Sequence, residues 1–458
     1  MSSVRRKLFG TDGVRGLIGI DLTPTFIVRL SLAIGAYFKE GARVLVGMDY
    51  RLGSNAIKKI VEGSLTFSGI KVYDAGLTPT PALQYSVKSQ GFDGGVVITA
   101  SHNPPEYNGI KVIGPHGIEI ERSDEKVIEE YFWEGKTRLV NWKDLAENAE
   151  RYPQVNEIYI RAIAEHVDRE LIAKQKYRVL VDPVNNVGVL TTPKLLRLLG
   201  VKPIVVNATL DTQPSRLPEP TPDSLADIAK ITATLGCDLG VGHDGDADRA
   251  ILIDEVGRIY WGDRSAVLLA RHLKMNRGEG GRVYTGVSSS SIVEEVLNPM
   301  GVEVVWTKVG SVDIAHTMRR DSGAMCGFEE NGGFMYPPHQ YVRDGAMKIA
   351  LFLELMAREG KKASSLFNEL PNYYTVKTKY KMPLENALKV IEGVKEEFKA
   401  ERLITLDGVK VLARDYWILV RPSGTEPVLR VMVEAKTPER ANDLLERISK
   451  VINEVTKA

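Results

Sequence analysis

Three aspartates in the segment HDGDADR are spaced for binding a small cation. Asp244, Asp246 and Asp248 occupy every second position and are separated by small residues. In an extended loop this spacing brings three carboxylates within reach of one ion, and ligation by oxygen alone favours magnesium or calcium over zinc. A calcium EF-hand is a poor fit, because Arg249 stands where that loop needs glycine and the following AILID reads as a strand. A solvated acidic turn is the alternative, although three carboxylates without a cation repel one another.

The segment RPSGTEP, residues 421–427, offers a site for an anion. Arg421 provides a forked set of donors, Ser423 and Thr425 provide hydroxyls, and Gly424 lets backbone N–H groups approach closely. Arg430 follows on the predicted strand. Taken alone, this motif is also compatible with an ordinary β-turn. Magnesium held by carboxylates usually keeps its open positions for water or phosphate oxygens, so the two motifs together predict a ligand that contains phosphate.

Ser101, in ITASHNPPEYNGIK, is displayed at the end of a β-branched run. As a nucleophile it would need His102 as its base, but adjacent side chains of an extended segment point in opposite directions, and no GxSxG elbow is present. A helix N-cap is a second interpretation. The third is a phosphoserine, whose negative charge a magnesium ion and Lys111 or Arg15 would offset. This third interpretation also supplies the anionic ligand that the aspartate loop lacks.

Two glycine-rich segments carry further polar side chains. FGTDGVRG places Asp12 and Arg15 between glycines, which lets the guanidinium approach a phosphate. GFEENGG carries Glu329, Glu330 and Asn331, and carboxylate and amide groups suit sugar hydroxyls, which both donate and accept hydrogen bonds. Structural turns are the alternatives for both segments.

These motifs belong to a repeated pattern of strand, helix, strand, helix, strand. The copies open at residues 42–49, 177–186 and 281–290, and each closes on a strand directly before a polar loop. Short apolar strands that alternate with helices predict parallel sheets covered on both faces, and such sheets bind ligands at the carboxyl ends of their strands. The pattern predicts three related α/β domains that direct three loops at one cleft, with chance likeness among α/β strands as the alternative.

The last part of the chain differs from the three copies. Beyond about residue 371, alternating strands, an Asp-Gly hairpin signal and two helices predict a smaller α+β domain. The predicted fold is therefore three related α/β domains with mixed or parallel sheets and a C-terminal α+β domain around a central cleft. The predicted bounds are 1–150 with the Ser101 loop, 151–253 with the aspartate loop, 254–368 with the GFEENGG loop and 369–458 with RPSGTEP.

Composition limits the partners and the location. The net charge of +1 gives no basic excess for nucleic acid or an anionic membrane. Cys237 and Cys326 lie far apart beside strand-like runs, which argues against a disulfide framework and fits a reducing compartment. No apolar stretch is long enough to span a bilayer, and MSSVRRKLFGTDG lacks the apolar core of a secretory signal. We expect a cytoplasmic protein that binds neither nucleic acid nor membranes.

In their order along the chain, the motifs resemble those of the α-D-phosphohexomutase family, which includes phosphoglucomutase, phosphomannomutase and phosphoglucosamine mutase. FGTDGVRG, TASHNPPEYNGIK, DGDADR, GFEENGG and RPSGTEP span the whole chain at domain-scale spacing. The resemblance implies a four-domain isomerase that interconverts hexose or hexosamine 6-phosphates and 1-phosphates through a phosphoserine and a sugar 1,6-bisphosphate. It implies one magnesium ion per chain and small sugar phosphates as partners, and it allows a homodimer.

The resemblance also implies roles for particular residues. Ser101 would carry the phosphoryl group, and Asp244, Asp246 and Asp248 would bind magnesium together with its phosphate. Arg15 and Lys111 match residues that assist proton transfer, and His102 and Arg249 match the neighbours that support them. The residues expected to bind substrate are Glu329, Asn331 and Ser311 on the sugar side, and Arg421, Ser423, Gly424, Thr425 and Arg430 around the phosphate that does not react.

Two departures from the family pattern concern the sugar. The sugar loop of the family often reads Glu-x-Ser-Gly-His, whereas this chain has Asn331 and Gly333 in place of the serine and the histidine. Ser311 stands where many phosphomannomutases/phosphoglucomutases carry a histidine. Both changes affect sugar recognition rather than phosphoryl transfer.

The expected activity is that of a phosphoglucosamine mutase with broad specificity. Phosphomannomutase or phosphoglucomutase activity is the alternative. A non-catalytic sugar-phosphate-binding protein and a magnesium-dependent phosphatase are alternatives of other classes. The phosphatase would need a base that activates water beside Ser101, and none is evident from the sequence.

Overall fold

The first domain is an α/β domain that carries the Ser101 loop. The computed structural model of the chain describes residues 7–423 and 427–457. Strands β1 to β6 are Val14–Leu17, Arg43–Met48, Lys71–Leu77, Gly94–Ile98, Tyr107–Ile113 and Glu150–Arg151. Helices α1 to α4 are Pro24–Tyr37, Ser54–Phe67, Thr80–Ser89 and Arg122–Glu134. Helix α1 begins where sequence rules place a start, because the Thr23 side chain caps it and Pro24 occupies its first turn.

The second domain carries the aspartate loop. Helices α5 to α8 are Val155–Glu165, Arg169–Gln175, Thr192–Leu198 and Ala226–Thr234. Strands β7 to β11 are Arg178–Asp182, Lys202–Val205, Leu239–His243, Ala250–Asp254 and Ile259–Tyr260. Strand β11 returns antiparallel against β10. The second sheet therefore continues beyond residue 253, where the sequence was expected to pass into the next domain.

The third domain carries the GFEENGG loop. Helices α9 to α13 are Gly262–Asn276, Ile292–Leu297, Ser311–Arg319, Gly345–Glu359 and Ala363–Asn368. Strands β12 to β15 are Arg282–Gly286, Glu303–Thr307, Ala324–Phe328 and Phe334–Met335. Helix α12 is buried along almost its whole length, because its AMKIALFLELMA sequence is apolar on nearly every face.

The three α/β sheets share one strand order. Parallel strands lie in the orders β4-β2-β3, β9-β7-β8 and β14-β12-β13, so the third strand of each copy pairs with the first. An antiparallel strand then returns beside that third strand, as β5, β10 and β15. Each polar loop is the connection between the third strand and its return. The predicted repeat is confirmed, and the returning strands make the sheets mixed.

The C-terminal domain is an antiparallel sheet covered by two helices. Strands β16 to β20 are Tyr374–Lys381, Arg402–Ile404, Val409–Leu412, Tyr416–Pro422 and Val428–Ala435, in the order β16-β20-β19-β18-β17. Helices α14 and α15 are Leu384–Glu397 and Pro438–Lys457. The expected Asp-Gly turn joins β17 and β18, with φ of 75° at Gly408.

The buried apolar residues include one cluster that several domains share, one that belongs to the first domain and one that belongs to the C-terminal domain. One continuous cluster links the first three domains, with Leu45, Val179 and Phe352 among its members. The C-terminal domain has its own cluster, but Trp417 and Leu419 on the other face of β19 pack into the shared core. Among the described residues, the structure contains no helix long and apolar enough to cross a membrane.

Candidate active site

The Ser101 hydroxyl lies against the aspartate loop of the second domain. It donates a hydrogen bond to Oδ2 of Asp244 at 2.7 Å. The Thr99 hydroxyl accepts a hydrogen bond from the Ser101 N–H at 2.8 Å, and the Arg51 guanidinium donates to the Ser101 carbonyl at 2.7 Å. Loops at the ends of two separate sheets therefore meet at one buried serine.

Ser101 has an unusual backbone conformation. Its φ is 51°, in the left-handed region that is unfavourable for a residue with a side chain. The expectation that Ser101 and His102 point in opposite directions is wrong for this reason, and Nδ1 of His102 lies 3.4 Å from Oγ of Ser101. The N-cap interpretation is also wrong, because the segment continues into β5 rather than into a helix.

The aspartate trio has the properties of a divalent-cation site. One ligand oxygen from each of Asp244, Asp246 and Asp248 lies within 4.8 Å of the others, and all three residues are buried. Burial raises the pKa of Asp244 well above its ordinary value, and the charges of Asp248 and Asp246 raise it further. Within the described ranges, Oδ1 of Asp246 and Oδ1 of Asp248 are buried without a hydrogen-bond partner. Buried oxygens left unpaired in this way fit a hard cation such as magnesium.

Lys111 links the aspartate loop to the N-terminal segment. Its Nζ lies 2.9 Å from Asp12, 3.1 Å from Asp246 and 3.7 Å from Asp248. Burial alone lowers the pKa of this lysine, but the surrounding carboxylates outweigh that effect and hold the pKa above its ordinary value. Arg15 also pairs with Asp12, at 3.0 Å, so two cations and one carboxylate stand next to the serine loop.

His102 lies between the serine and a second acidic residue. Burial lowers its pKa well below the ordinary value, and the charges of Arg249 and Arg15 lower it further. The imidazole is therefore neutral at neutral pH, with its Nδ1 facing Oγ of Ser101. Its Nε2 is 3.6 Å from Glu219, which in turn pairs with Arg249 at 2.5 Å.

Arg343 is a residue of this site that sequence reasoning missed. Its guanidinium lies 2.5 Å from Asp248, 3.0 Å from Asp12 and 3.2 Å from Glu329. It therefore joins the aspartate loop, the N-terminal segment and the sugar loop. Residue 343 is outside all of the sequence motifs. The sequence offers one clue to its importance, since it directly precedes Asp344, the N-cap residue of α12.

The GFEENGG loop lies beside the aspartate loop. The Lys348 ammonium donates to the carbonyls of Ala250 at 2.7 Å and Gly332 at 3.2 Å, so helix α12 ties the two loops together. Glu329 is buried against Arg343, and Oδ1 of Asn331 accepts a hydrogen bond from the N–H of Gly333.

A cleft of about 930 Å³ brings these elements together. All four domains contribute to its lining. The predicted site residues that line it are Arg15, His102, Arg249, Ser311, Glu329, Asn331, Arg421 and Arg430. Ser101, Lys111 and Asp248 are buried and contact the lining residues His102, Asp12 and Arg343, respectively.

The C-terminal domain presents two arginines to the cleft. Arg421 and Arg430 are direct partners across β19 and β20, so their side chains lie on one face of the sheet. Like charges placed opposite each other are unfavourable unless an anion lies between them. Arg421 also pairs with Asp407 at 3.0 Å. Ser423 lies at the end of the same hairpin but not in the cleft lining, and Gly424 and Thr425 lie outside the described residues.

Comparison with known proteins gives matches over the whole chain. Models of the phosphoglucomutase/phosphomannomutase family match residues 6–139 (α/β/α domain I), 157–257 (domain II), 261–374 (domain III) and 375–451 (C-terminal domain). The phosphoglucosamine/phosphogalactosamine mutase of Sulfurisphaera tokodaii is 51% identical over 97% of this chain and 99% of its own length.

Two further proteins extend the comparison. The phosphoglucomutase/phosphomannomutase of Thermococcus kodakarensis is 40% identical over 98% of this chain and 99% of its own. A solved structure of a phosphoglucomutase/phosphomannomutase family protein from Burkholderia thailandensis has the same fold, with a TM-score of 0.85, 24% identity and 97% coverage of both chains. The resemblance seen in the motifs is confirmed. The chain belongs to the phosphoglucomutase/phosphomannomutase family of mutases.

Proposed function

We propose that the chain interconverts hexosamine 6-phosphate and hexosamine 1-phosphate, with glucosamine phosphate as the preferred substrate and other hexose phosphates as slower ones. The observation that carries this proposal is the contact between the Ser101 hydroxyl and Asp244 inside a cleft that all four domains line. The Sulfurisphaera relative, named for two amino-sugar phosphates, supports the choice of sugar.

In the proposed reaction Ser101 carries a phosphoryl group between turnovers. A hydroxyl of the sugar phosphate attacks the phosphorus and the bond from phosphorus to Oγ of Ser101 breaks. A sugar 1,6-bisphosphate forms, and the proton that the sugar hydroxyl loses ends on Oγ of Ser101. The other phosphate of this bisphosphate then returns to Ser101 by the reverse step. A magnesium ion held by Asp244, Asp246 and Asp248, together with an oxygen of the phosphoserine, would offset the charge on the transferring group.

The neighbouring side chains have distinct tasks in this proposal. Lys111 stays protonated, so it donates hydrogen bonds to the transferring phosphoryl oxygens. The neutral imidazole of His102 can accept a proton beside Oγ of Ser101. Arg15 and Arg249 line the cleft next to the serine loop and supply fixed positive charge.

The bisphosphate must turn over within the cleft between the two transfers. The phosphate that does not react then needs one anchor that serves both orientations. The paired Arg421 and Arg430 support this role, and Ser423, Gly424 and Thr425 follow Arg421 in the RPSGTEP sequence. Sugar contacts through Glu329, Asn331 and Ser311 must tolerate both orientations, which fits a substrate range wider than one sugar.

Replacing Ser101 by alanine tests the proposal. We expect Ser101→Ala to keep the wild-type thermal midpoint and to abolish interconversion of glucosamine 1- and 6-phosphates, because no oxygen remains to hold the phosphoryl group. The assay follows both directions, with glucose and mannose phosphates in parallel. Ser64→Ala, which removes a hydroxyl that donates to the Ile60 carbonyl of its own helix, is the matched control and keeps full activity. Full turnover by Ser101→Ala would contradict the covalent route.

Hydrolysis is the second candidate reaction, because His102 and Glu219 stand behind Ser101. A phosphatase would release inorganic phosphate at the rate of sugar-phosphate consumption, whereas a mutase releases almost none. A non-catalytic binding protein would do neither.

Cytoplasmic location, the lack of nucleic-acid and membrane partners, and a homodimer stay predictions from the sequence.

A further inference from the structure

Glu330 is a carboxylate of the cleft with no arginine or lysine within ion-pair distance among the described residues, although the charge of the buried Lys410 acts on it from farther away. Asp12, Glu219 and Glu329, which also line the cleft, each pair with an arginine or a lysine. In the part of the chain that the structure describes, Glu330 forms no ion pair. Its Oε2 accepts a hydrogen bond from the neutral hydroxyl of Ser288 at 2.6 Å.

The backbone of Glu330 is held in place, and its surroundings carry charges of both signs. Its carbonyl accepts a hydrogen bond from the N–H of Gly262 at 2.7 Å, so the loop is held against the start of α9. Glu330 lines both the large cleft and an adjoining pocket of about 80 Å³, which contains Asp263 and Glu434 as well as Arg264 and Lys377. Burial raises the pKa of Asp263, and the charge of Glu330 raises it further.

An unpaired carboxylate is unexpected in a cleft that otherwise suits phosphate. The arginines that line the cleft attract an anion, whereas Glu330 repels it. The repulsion becomes an attraction when the substrate itself carries a positive charge next to its ring. A hexosamine phosphate carries such a charge on its 2-ammonium group, and a hexose phosphate has a neutral hydroxyl at the same carbon.

We propose that Glu330 binds the 2-ammonium group of a hexosamine phosphate and makes the cleft selective for amino sugars over neutral hexoses. This inference rests on the proposed hexose-phosphate substrate and assigns to Glu330 the selectivity between amino sugars and neutral hexoses. A hydroxyl can also donate to a carboxylate, but only the ammonium group adds a positive charge and therefore a Coulomb attraction to the carboxylate. Glu330 therefore changes the preference between sugars rather than the transfer step.

Binding measurements in a Ser101→Ala background test this inference without turnover. Glucosamine 1-phosphate, N-acetylglucosamine 1-phosphate and glucose 1-phosphate are titrated by calorimetry into Ser101→Ala and into Ser101→Ala/Glu330→Gln. We expect Glu330→Gln to weaken glucosamine 1-phosphate by about 10- to 100-fold, the range for loss of a charge-assisted hydrogen bond. The N-acetyl and glucose compounds, which carry no positive charge, should bind unchanged or slightly more tightly.

Further variants separate recognition from structure. Glu330→Asp keeps the charge and should retain most of the preference for glucosamine 1-phosphate. Glu157→Gln removes an exposed carboxylate of α5 outside the cleft and should change none of the three affinities. An equal loss for all three ligands in Glu330→Gln, or an unchanged preference for glucosamine 1-phosphate, would overturn the proposal.

Turnover assays with Ser101 intact distinguish a failure of the Glu330 assignment from a failure of the mutase proposal. If it interconverts glucose and glucosamine phosphates and Glu330→Gln leaves their ratio of kcat/KM unchanged, the assignment of Glu330 fails and the mutase proposal stands. If it interconverts neither, the mutase proposal fails, and the calorimetric comparison still decides whether Glu330 binds the ammonium group. If the kcat/KM ratio shifts in favour of glucose phosphate in Glu330→Gln, because KM for glucosamine phosphate rises, both proposals are supported.

Discussion

At the scale of single residues, the site depends on side chains whose neighbours change their protonation. The buried Lys111 stays charged among carboxylates, and His102, at the cleft surface, stays neutral among arginines. Ser101, Asp244 and Lys111 could be predicted because each lies in a contiguous motif. Arg343 and Glu219 could not, because Arg343 reaches Asp248 and Glu219 reaches His102 in other domains, and spacing along the sequence does not reveal such contacts. The positive φ of Ser101 could not be predicted either, because a serine in the sequence does not indicate a left-handed backbone conformation.

Glu119 gives a prediction about pH. Burial raises its pKa to about 7, with the charge of Asp12 adding to the rise. A carboxyl whose pKa is raised by folding contributes stability below its unfolded pKa near 4.5, and that contribution is lost as pH rises through 7. Glu119→Gln, which does not titrate, should therefore match the wild type at pH 4.5 and be more stable at pH 8 by roughly 1–3 kcal/mol.

Thermal midpoints of both proteins between pH 4.5 and pH 8 check this expectation. Glu157→Gln, at an exposed position, is the control and should follow the wild type throughout. Midpoints for Glu119→Gln and the wild type that differ equally at both ends of the range would show that Glu119 does not titrate as inferred.

At the scale of elements, the loops meet because each follows the third strand of its sheet and because glycine lets them approach. A Cβ placed on Gly245 would lie 2.6 Å from the carbonyl oxygen of Ser101. The third strands and their polar loops were evident from the sequence. Their antiparallel returns were less evident, because a short buried strand such as AILID has no alternation to reveal its direction.

Gly245→Ala should separate the serine loop from the aspartate loop. The methyl group meets backbone on the opposing loop, so one loop must shift, and a displacement of about 1 Å at a reacting group can lower kcat by about 100-fold. The free energy of unfolding should fall by about 1–3 kcal/mol. The measurements are kcat on glucosamine 1-phosphate and the urea-unfolding midpoint. Gly63→Ala, in an open position of α2, is the control and should keep kcat. Wild-type kcat in Gly245→Ala would contradict the close contact.

At the scale of the whole molecule, the first three domains form one body around a shared core, and the C-terminal domain adds a separate one. The contact between them includes the buried Lys410, which donates to the carbonyl of Ser289 and lies between the indoles of Trp306 and Trp417. The four-domain organisation could be predicted from the repeat. The contact through Lys410 could not be predicted, because the neighbouring sequence does not indicate that this lysine is buried.

The proposed mechanism requires that Ser101, and no other residue, carry the phosphoryl group. The most direct test incubates the purified chain with magnesium and a hexose 1,6-bisphosphate and then determines the masses of its peptides. We predict a gain of about 80 Da on the peptide that contains Ser101, reversed by excess sugar monophosphate and absent in Ser101→Ala. An unmodified Ser101 peptide, or the same gain on a different residue, would contradict the proposed role of Ser101.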